Sequence, residues 1–352
     1  MRINPLIEKD EELLDKASKS FNIGKYGDFL VKWANALESY GTPRDFVYDT
    51  YYEAHNINIK NETYPFIFVI APGNERRREY VAKQKTYMPR NSLDSYGVRL
   101  DKDISDCFLC ENVIQGIDAN NYPEEVGDNV ILDLGTHYIL PNRYPAEYGH
   151  SLSVQKNHDV MTNRVIPKEK TALFKPELSK TRGNILTSDY LEALIEACDK
   201  YYFVGLRNHS LEGMSLYKHE HFHIFLEVSK RFREMNRVLG TQGITGFGSN
   251  IYLATNTPFD TLLITKEKSK QISDFAIPLL RKMEEDNQIF TLIYNNNTLF
   301  VSPRKAKKFD DKRQQVGACM PIHAVDVSVK ETNQRIKFMP LKGEFTWDKY
   351  AP

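Results

Sequence analysis

Three histidines, His219, His221 and His223, alternate with other residues in the segment Lys218-His219-Glu220-His221-Phe222-His223-Ile224-Phe225-Leu226-Glu227. Alternation is the period of a β-strand, so a strand here projects all three imidazoles from one face, with neighbours roughly 6.5–7 Å apart. That spacing divides the labour: one ring holds a metal, the next attacks as a nucleophile, and the third donates a hydrogen bond. A neutral imidazole adds no repulsion against anionic phosphoryl oxygens and is a good nucleophile near neutral pH. Nine histidines scattered over 352 residues rarely make such a row. The competing reading is a solvated or core-edge histidine cluster, and burying three imidazoles without partners is costly.

A second chemical signal is Cys107-Phe108-Leu109-Cys110. The pair reads as a redox dithiol or as half of a zinc site. A redox dithiol of the thioredoxin kind should follow a strand, and Asp101–Asp106 is too acidic for a buried one. Tetrahedral zinc needs two further ligands, for which imidazoles are the usual complement. His158 and the histidine row supply them.

The elements that must position these groups are partly legible. Leu13, Leu14, Ala17 and Phe21, then Phe29, Leu30, Trp33 and Leu37, recur at helical spacing and predict two helices broken near Asn22-Ile23-Gly24. Tyr64–Ile70 reads as a strand stopped by Pro72-Gly73. Short strands are predicted over Gly127–Leu132, Thr136–Leu140 and His150–Val154, and residues 157–188 form a polar excursion. Ser188–Lys200 predicts a helix capped by Ser188 or Asp189, with Leu191, Leu194, Ile195 and Cys198 on its apolar face. Beyond the histidine strand, strands are predicted near Thr261–Thr265, Phe290–Tyr294 and Leu299–Val301, with a helix over Lys268–Glu285. His150 reads as a structural residue holding a turn, with a metal ligand in place of His158 as its other reading. His137 reads as a satisfied core or rim histidine.

Composition bounds the function. Apolar residues make up 41% and charged residues 27%, ordinary values for a soluble globular protein. Lys+Arg and Asp+Glu are each 47, so the net charge is zero and a general nucleic-acid binder is not expected. No apolar run is long enough for a membrane span, and no secretory signal is visible. Four cysteines do not make a disulfide scaffold. A cytoplasmic enzyme is the expectation, and a homo-oligomer is compatible with it.

The order of these motifs resembles the histidine-triad superfamily. Cys107-x-x-Cys110 is followed by Asn142-Arg143-Tyr144-Pro145, by Gly149-His150-Ser151-Leu152 running on to His158, and by the histidine strand. Leu206-Arg207-Asn208 and Gly213-Met214-Ser215 are similar to the stretch leading into the family's triad. The closer likeness is to the larger branch: galactose-1-phosphate uridylyltransferase, diadenosine tetraphosphate phosphorylase and GDP-hexose phosphorylases. It covers roughly residues 100–330.

The resemblance implies an α+β fold: an antiparallel sheet with packed helices, in two histidine-triad-like (HIT-like) halves plus an N-terminal helical extension. The corresponding divisions are residues 1–100, a catalytic half over 101–244, and a second, degenerate half over 245–352. It implies that His221 is the nucleophile and that Cys107, Cys110, His158 and His219 hold a structural zinc. His223 and Asn208 then act on the phosphate, and Asn142, Tyr144, Asn208, Ser215 and His223 bind the nucleotide. Ser215 lies one residue farther from the triad than the family's pattern. His223 replaces the Gln common in the larger branch and matches the small hydrolases.

The implied reaction is attack at the α-phosphorus of a nucleotide or nucleotide-sugar through a covalent nucleotidyl-histidine. Inorganic phosphate, a phosphorylated acceptor or water takes the nucleotide, giving a phosphorylase, a transferase or a hydrolase. Two further readings stay open: a metal enzyme in which His219, His221 and His223 bind one ion, and a non-catalytic nucleotide-binding module with structural zinc.

Overall fold

The structure is a computed structural model that describes residues 23–39, 51–70, 130–142, 145, 149–155, 186–207, 221–227, 232, 239–244, 247, 250–265, 268–286, 288–304, 323–325 and 340–351. Its first elements are α1 (Ile23–Ser39), β1 (Tyr51–Ile59), β2 (Glu62–Ile70), β3 (Leu132–Asp133), β4 (His137–Pro141) and β5 (Ser151–Gln155). There follow α2 (Ser188–Tyr201), β6 (Phe203–Arg207), β7 (His221–Leu226), β8 (Gly240–Gly243), β9 (Ile251–Thr255) and β10 (Leu262–Thr265). The last are α3 (Ser269–Glu285), β11 (Ile289–Asn295), β12 (Thr298–Arg304), β13 (His323–Val325) and a 3₁₀ turn at Asp348–Tyr350.

β1 and β2 make a hairpin, and β13 joins β2 in parallel to give a three-stranded sheet. Lys60 and Asn61 close that hairpin at φ 48° and 67°, and Asn296 and Asn297 close the β11–β12 hairpin at 47° and 58°. Two successive left-handed residues match the right-handed twist of the flanking strands, which is why Asn serves at such turns.

The main sheet has ten strands among the described residues, in the order β3-β4-β5-β7-β6-β11-β12-β10-β9-β8. Every pairing in it is antiparallel. From the β6–β11 seam outward, the strands run β6-β7-β5-β4-β3 one way and β11-β12-β10-β9-β8 the other. α2 precedes β6 in the chain, and α3 precedes β11. The strand predicted to hold the histidines, β7, is thus interior to the sheet, while β8, from residues before 245, sits at the far end beside β9.

One face of this sheet carries the helices. Phe203, Phe222, Ile224, Leu292, Leu299 and Val301 pack with Leu191, Leu194, Ile195 and Cys198 of α2, Ile272, Ala276 and Leu280 of α3, and Phe29, Trp33 and Leu37 of α1. Each fully buried side chain of this kind contributes about 1.5–3 kcal/mol. α2 and α3 run antiparallel: Ser273 Oγ donates to Glu192 Oε1 (2.6 Å) and Ser269 Oγ to Glu196 Oε1 (3.0 Å). The opposite face buries Val204, Leu206, Phe225, Phe232, Leu263, Ile293 and Phe300, with Tyr138, Leu140, Leu152 and Val154 beside β4 and β5.

The architecture is α+β, a mostly antiparallel sheet with packed helices, as the sequence implied. Three local expectations change. The strand expected over Gly127–Leu132 is reduced to Leu132–Asp133, with Gly127–Asn129 outside the described residues. It lies at the sheet edge and is cut short by a turn in which Gly135 N donates to Asp133 Oδ1. The cap of α2 is Thr187, not Ser188 or Asp189. Thr187 is extended (φ −91°, ψ 156°) and accepts from Tyr190 N, whereas Ser188 and Asp189 are already helical. Strands β1, β6, β8, β9 and β13 were not expected from the sequence. α1 starts at the Asn22-Ile23-Gly24 break, but the helix predicted before it, and residues 157–185 of the polar excursion, lie outside the described residues. Among the described residues, no helix is long and apolar enough to cross a membrane.

Candidate active site

β7 lies between β5 and β6, with His221 opposite Val154 and His223 opposite both Leu152 and Leu206. Its helix-side residues Phe222 and Ile224 are fully buried, so the pleat fixes His221, His223 and Phe225 on the other face. A one-residue slip would drive both imidazoles into the helix-packed core, so the apolar set pins the register. The His221 and His223 ring centroids are 5.5 Å apart, edge to face at 66°. His221 is 2% exposed, and His223 is the more exposed of the two.

A third imidazole arrives from the neighbouring strand. His150 immediately precedes β5 and stacks on Phe225 with centroids 4.4 Å apart and 19° between planes. Its Nε2 lies 2.9 Å from Nδ1 of His223 and 3.2 Å from Nδ2 of Asn142. The backbone of His150 is held as firmly as its ring. Its carbonyl accepts from the Trp33 indole (3.0 Å) and from Asn142 N (3.0 Å). Gly149 before it has φ 75°, and a Cβ there would meet Leu226 at 3.0 Å. Only glycine fits that turn without strain. His150 therefore does hold a turn, as expected, and its ring also joins the histidine row. Its buried ring was legible in the sequence only through register, which sets residue 150 across from Phe225.

Other predicted residues divide plainly. Asn142, His221 and His223 are brought together. Cys107, Cys110, Tyr144, His158, Asn208, Ser215 and His219 lie outside the described residues. Among the described residues, no three His, Cys, Asp or Glu side chains form a metal-binding group. His137 is a core histidine: Nδ1 lies 2.9 Å from Thr136 Oγ1, and the ring meets Tyr190 edge-on.

The same face continues across the seam with different chemistry. β12 presents Thr298, Phe300, Ser302 and Arg304 there. Ser302 Oγ and Thr261 Oγ1 lie 3.0 Å apart, and Arg304 Nη1 donates to Thr291 Oγ1 (3.4 Å). On the helix side, the Tyr294 hydroxyl of β11 donates to Asp199 Oδ1 of α2 (2.6 Å), linking the two sides of the sheet. Burial, and then the bond to Asp199, pushes the Tyr294 hydroxyl well above its usual range. Burial raises the Asp199 carboxyl, and burial followed by the Asp199 charge raises Glu227.

No protein-family model matches the chain, and no curated protein matches it in sequence. Solved structures of the yeast Ap4A phosphorylase Apa2 are similar in outline. The complex with AMP has 10% identity and TM-score 0.48, covering 88% of this chain and 92% of that one. The complex with Ap4A has 13% identity and TM-score 0.49, covering 89% and 92%. A third Apa2 structure has 13% identity and TM-score 0.47, covering 88% and 90%.

Proposed function

We propose that the protein is a nucleotidyltransferase or nucleotide phosphorylase that works through a covalent nucleotidyl-His221. The observation that carries this reading is the pair His221 and His223 on one face of the central strand, with rings 5.5 Å apart. The resemblance of the motif order to the larger histidine-triad branch also supports it. In the first step a nitrogen of the neutral His221 ring bonds to the α-phosphorus, and the bond to the leaving oxygen breaks. In the second step an acceptor oxygen bonds to that phosphorus, and the P–N bond breaks with its electron pair returning to the ring. Hydrogen-bond donors around the phosphoryl oxygens, Asn208 among them, lower both barriers. Asn142, Tyr144 and Ser215 contribute to the nucleotide pocket in this reading.

The donor set Cys107, Cys110, His158 and His219 has the composition of a closed tetrahedral zinc site. Bound zinc would supply a rigid anchor just before β7, two residues from the nucleophile, and would not act on substrate. The repeated strand order across the β6–β11 seam supports a degenerate second half, but one that begins at β8, a few residues before 245, and β12 offers no imidazole where β7 has two. Water as the acceptor is the second reading, favoured by His rather than Gln at position 223.

The test is to incubate the protein with α-labelled nucleoside triphosphates, nucleotide sugars and dinucleoside polyphosphates, with and without inorganic phosphate. The expected product is acid-labile, base-stable label on the wild-type chain and none on His221→Ala. Label that survives His221→Ala, or no label from any of these compounds, overturns the reading. Metal analysis of the same variant separates the metal-triad reading: zinc is retained in His221→Ala if His221 is the nucleophile and lost if it is a ligand.

A further inference from the structure

We infer that Tyr294 and Asn295 are positioning residues through which β11 holds the outgoing end of the histidine strand, one from each face of the sheet. The inference rests on the proposed reaction for its catalytic meaning, but not for its geometry. Successive residues of a strand project to opposite faces. Tyr294 shares the helix-packed core with α2, so Asn295 points to the face of the histidine row.

On the helix side the Tyr294 hydroxyl donates to Asp199 Oδ1 at 2.6 Å and accepts from Asn297 N. Asp199 lies in the last turn of α2, shortly before the cap residue Tyr202. Tyr202 stands at φ 55°, a left-handed conformation that strains a bulky L residue. A turn of this kind needs holding from outside. Its carbonyl accepts from the amide of Glu227, the residue that follows β7 (3.0 Å). Gly205, opposite Tyr294 in the β6–β11 ladder, lets α2 lie close: a Cβ there would sit 3.3 Å from Leu194 Cδ2.

On the other face the fully buried Asn295 amide donates from Nδ2 to the carbonyl of Phe232 (3.3 Å). The Phe232 ring lies 5.5 Å from the ring of Phe225, which stacks on His150 and is 6.4 Å from His223. Two points at which the chain is fastened after leaving β7, Glu227 and Phe232, thus lead back to one dipeptide of β11. Interiors are close-packed, so a ring that shifts displaces its neighbours. Misplacing a reacting group by about 1 Å costs on the order of 10²-fold in rate. In this way the strands beyond the seam serve the histidine row without contributing a reacting group.

Proton–carbon NMR of the full-length protein labelled in its histidine rings tests this without any substrate. The His223 signals are identified by their loss in His223→Gln. Tyr294→Phe keeps the ring and removes only the hydroxyl, and Asn295→Ala removes the donor to Phe232. Each is expected to shift the His223 ring signals. Ser302→Ala, on the same face of the sheet, is the control: it should lower the urea midpoint and leave those signals in place. Should Asn295→Ala not fold, Asn295→Ser is read in its stead. In the labelling assay, with whichever α-labelled nucleotide marks His221, Asn295→Ala should slow labelling per folded molecule on the order of 10²-fold and Tyr294→Phe about 10-fold, with KM little changed. An unmoved His223 spectrum in either folded variant, an equal shift in Ser302→Ala, or a wild-type labelling rate per folded molecule overturns the inference. Failure of any nucleotide to mark the wild-type chain counts against nucleotidyl-His221 alone, and the spectra then decide the inference.

Discussion

β7 and β12 occupy matching places on the two sides of the β6–β11 seam, and they are built for different ends. On the face away from the helices β7 shows His221, His223 and Phe225, with His150 docked against them. β12 shows Thr298, Phe300, Ser302 and Arg304, of which Thr298 meets Thr265 of β10, Ser302 meets Thr261 just before β10, and Arg304 meets Thr291 of β11. Both strands bury their other face in the same helix-packed core. The backbone solution is shared, and only side chains at alternate positions separate the row of imidazoles, the proposed site, from a wall of hydroxyls, Phe300 and Arg304. Imidazoles fill the alternate positions of one strand; neutral hydroxyls, a phenyl ring and an enclosed guanidinium fill those of the other.

If this contrast is right, substitutions on the two strands should move different measurements. The largest effect is expected at His221, where Ala should cut nucleotidylation by at least about 10³-fold while leaving the urea midpoint near wild type. Phe300→Ala on β12 should do the reverse, costing about 3–5 kcal/mol in urea unfolding while the folded fraction labels at the wild-type rate. A drop in labelling per folded molecule would make β12 part of the site. Ser302→Ala, which removes one partner of the buried hydroxyl pair, should cost about 1–2 kcal/mol by the same measurement and leave labelling intact. The smallest effect concerns the link across the seam. Asp199 and Glu227 have folded-state pKa values raised by burial, so the folded chain holds their protons more tightly than the unfolded chain does. Their contribution is fully present below the ordinary carboxylate range and declines as pH rises through the raised values. Asp199→Asn with Glu227→Gln should therefore flatten the fall in stability as pH rises from about 4, as read from thermal midpoints at a series of pH values.

How far the sequence foretold this contrast depended on what kind of signal each part carries. β7 was legible because alternation is a local pattern, and β11 and β12 because each is an apolar run, although the Asn296-Asn297 turn that pairs them was not read from the sequence. α2 and α3 were both expected, and the four stripe residues named for α2, Leu191, Leu194, Ile195 and Cys198, are all buried. β6 was not, since Phe203–Arg207 is buried at all five positions and alternates in nothing. Arg207 there sits over the Phe290 ring near Glu284, an environment that only the assembled sheet and α3 create. The partnership of His150 with His223 was hidden for the same reason: 73 residues separate them, and antiparallel register alone brings them together. The short strand β3 was overextended because the sequence shows an apolar run but not that the run lies at the margin of the sheet.

The seam itself has a bearing on how the chain could be divided. Among the described residues β6 and β11 pair over three positions, Gly205 to Arg207 against Leu292 to Tyr294, and this short ladder makes the two groups of strands one sheet. A fragment ending at residue 244 would strip β11 from β6 and β9 from β8, leaving two strands with naked amide and carbonyl rows. Such margins template addition of another chain. A liberated half would thus be driven to self-associate or precipitate, and the histidine-bearing part would persist in isolation only if a second copy of β6 took the place of the missing strand.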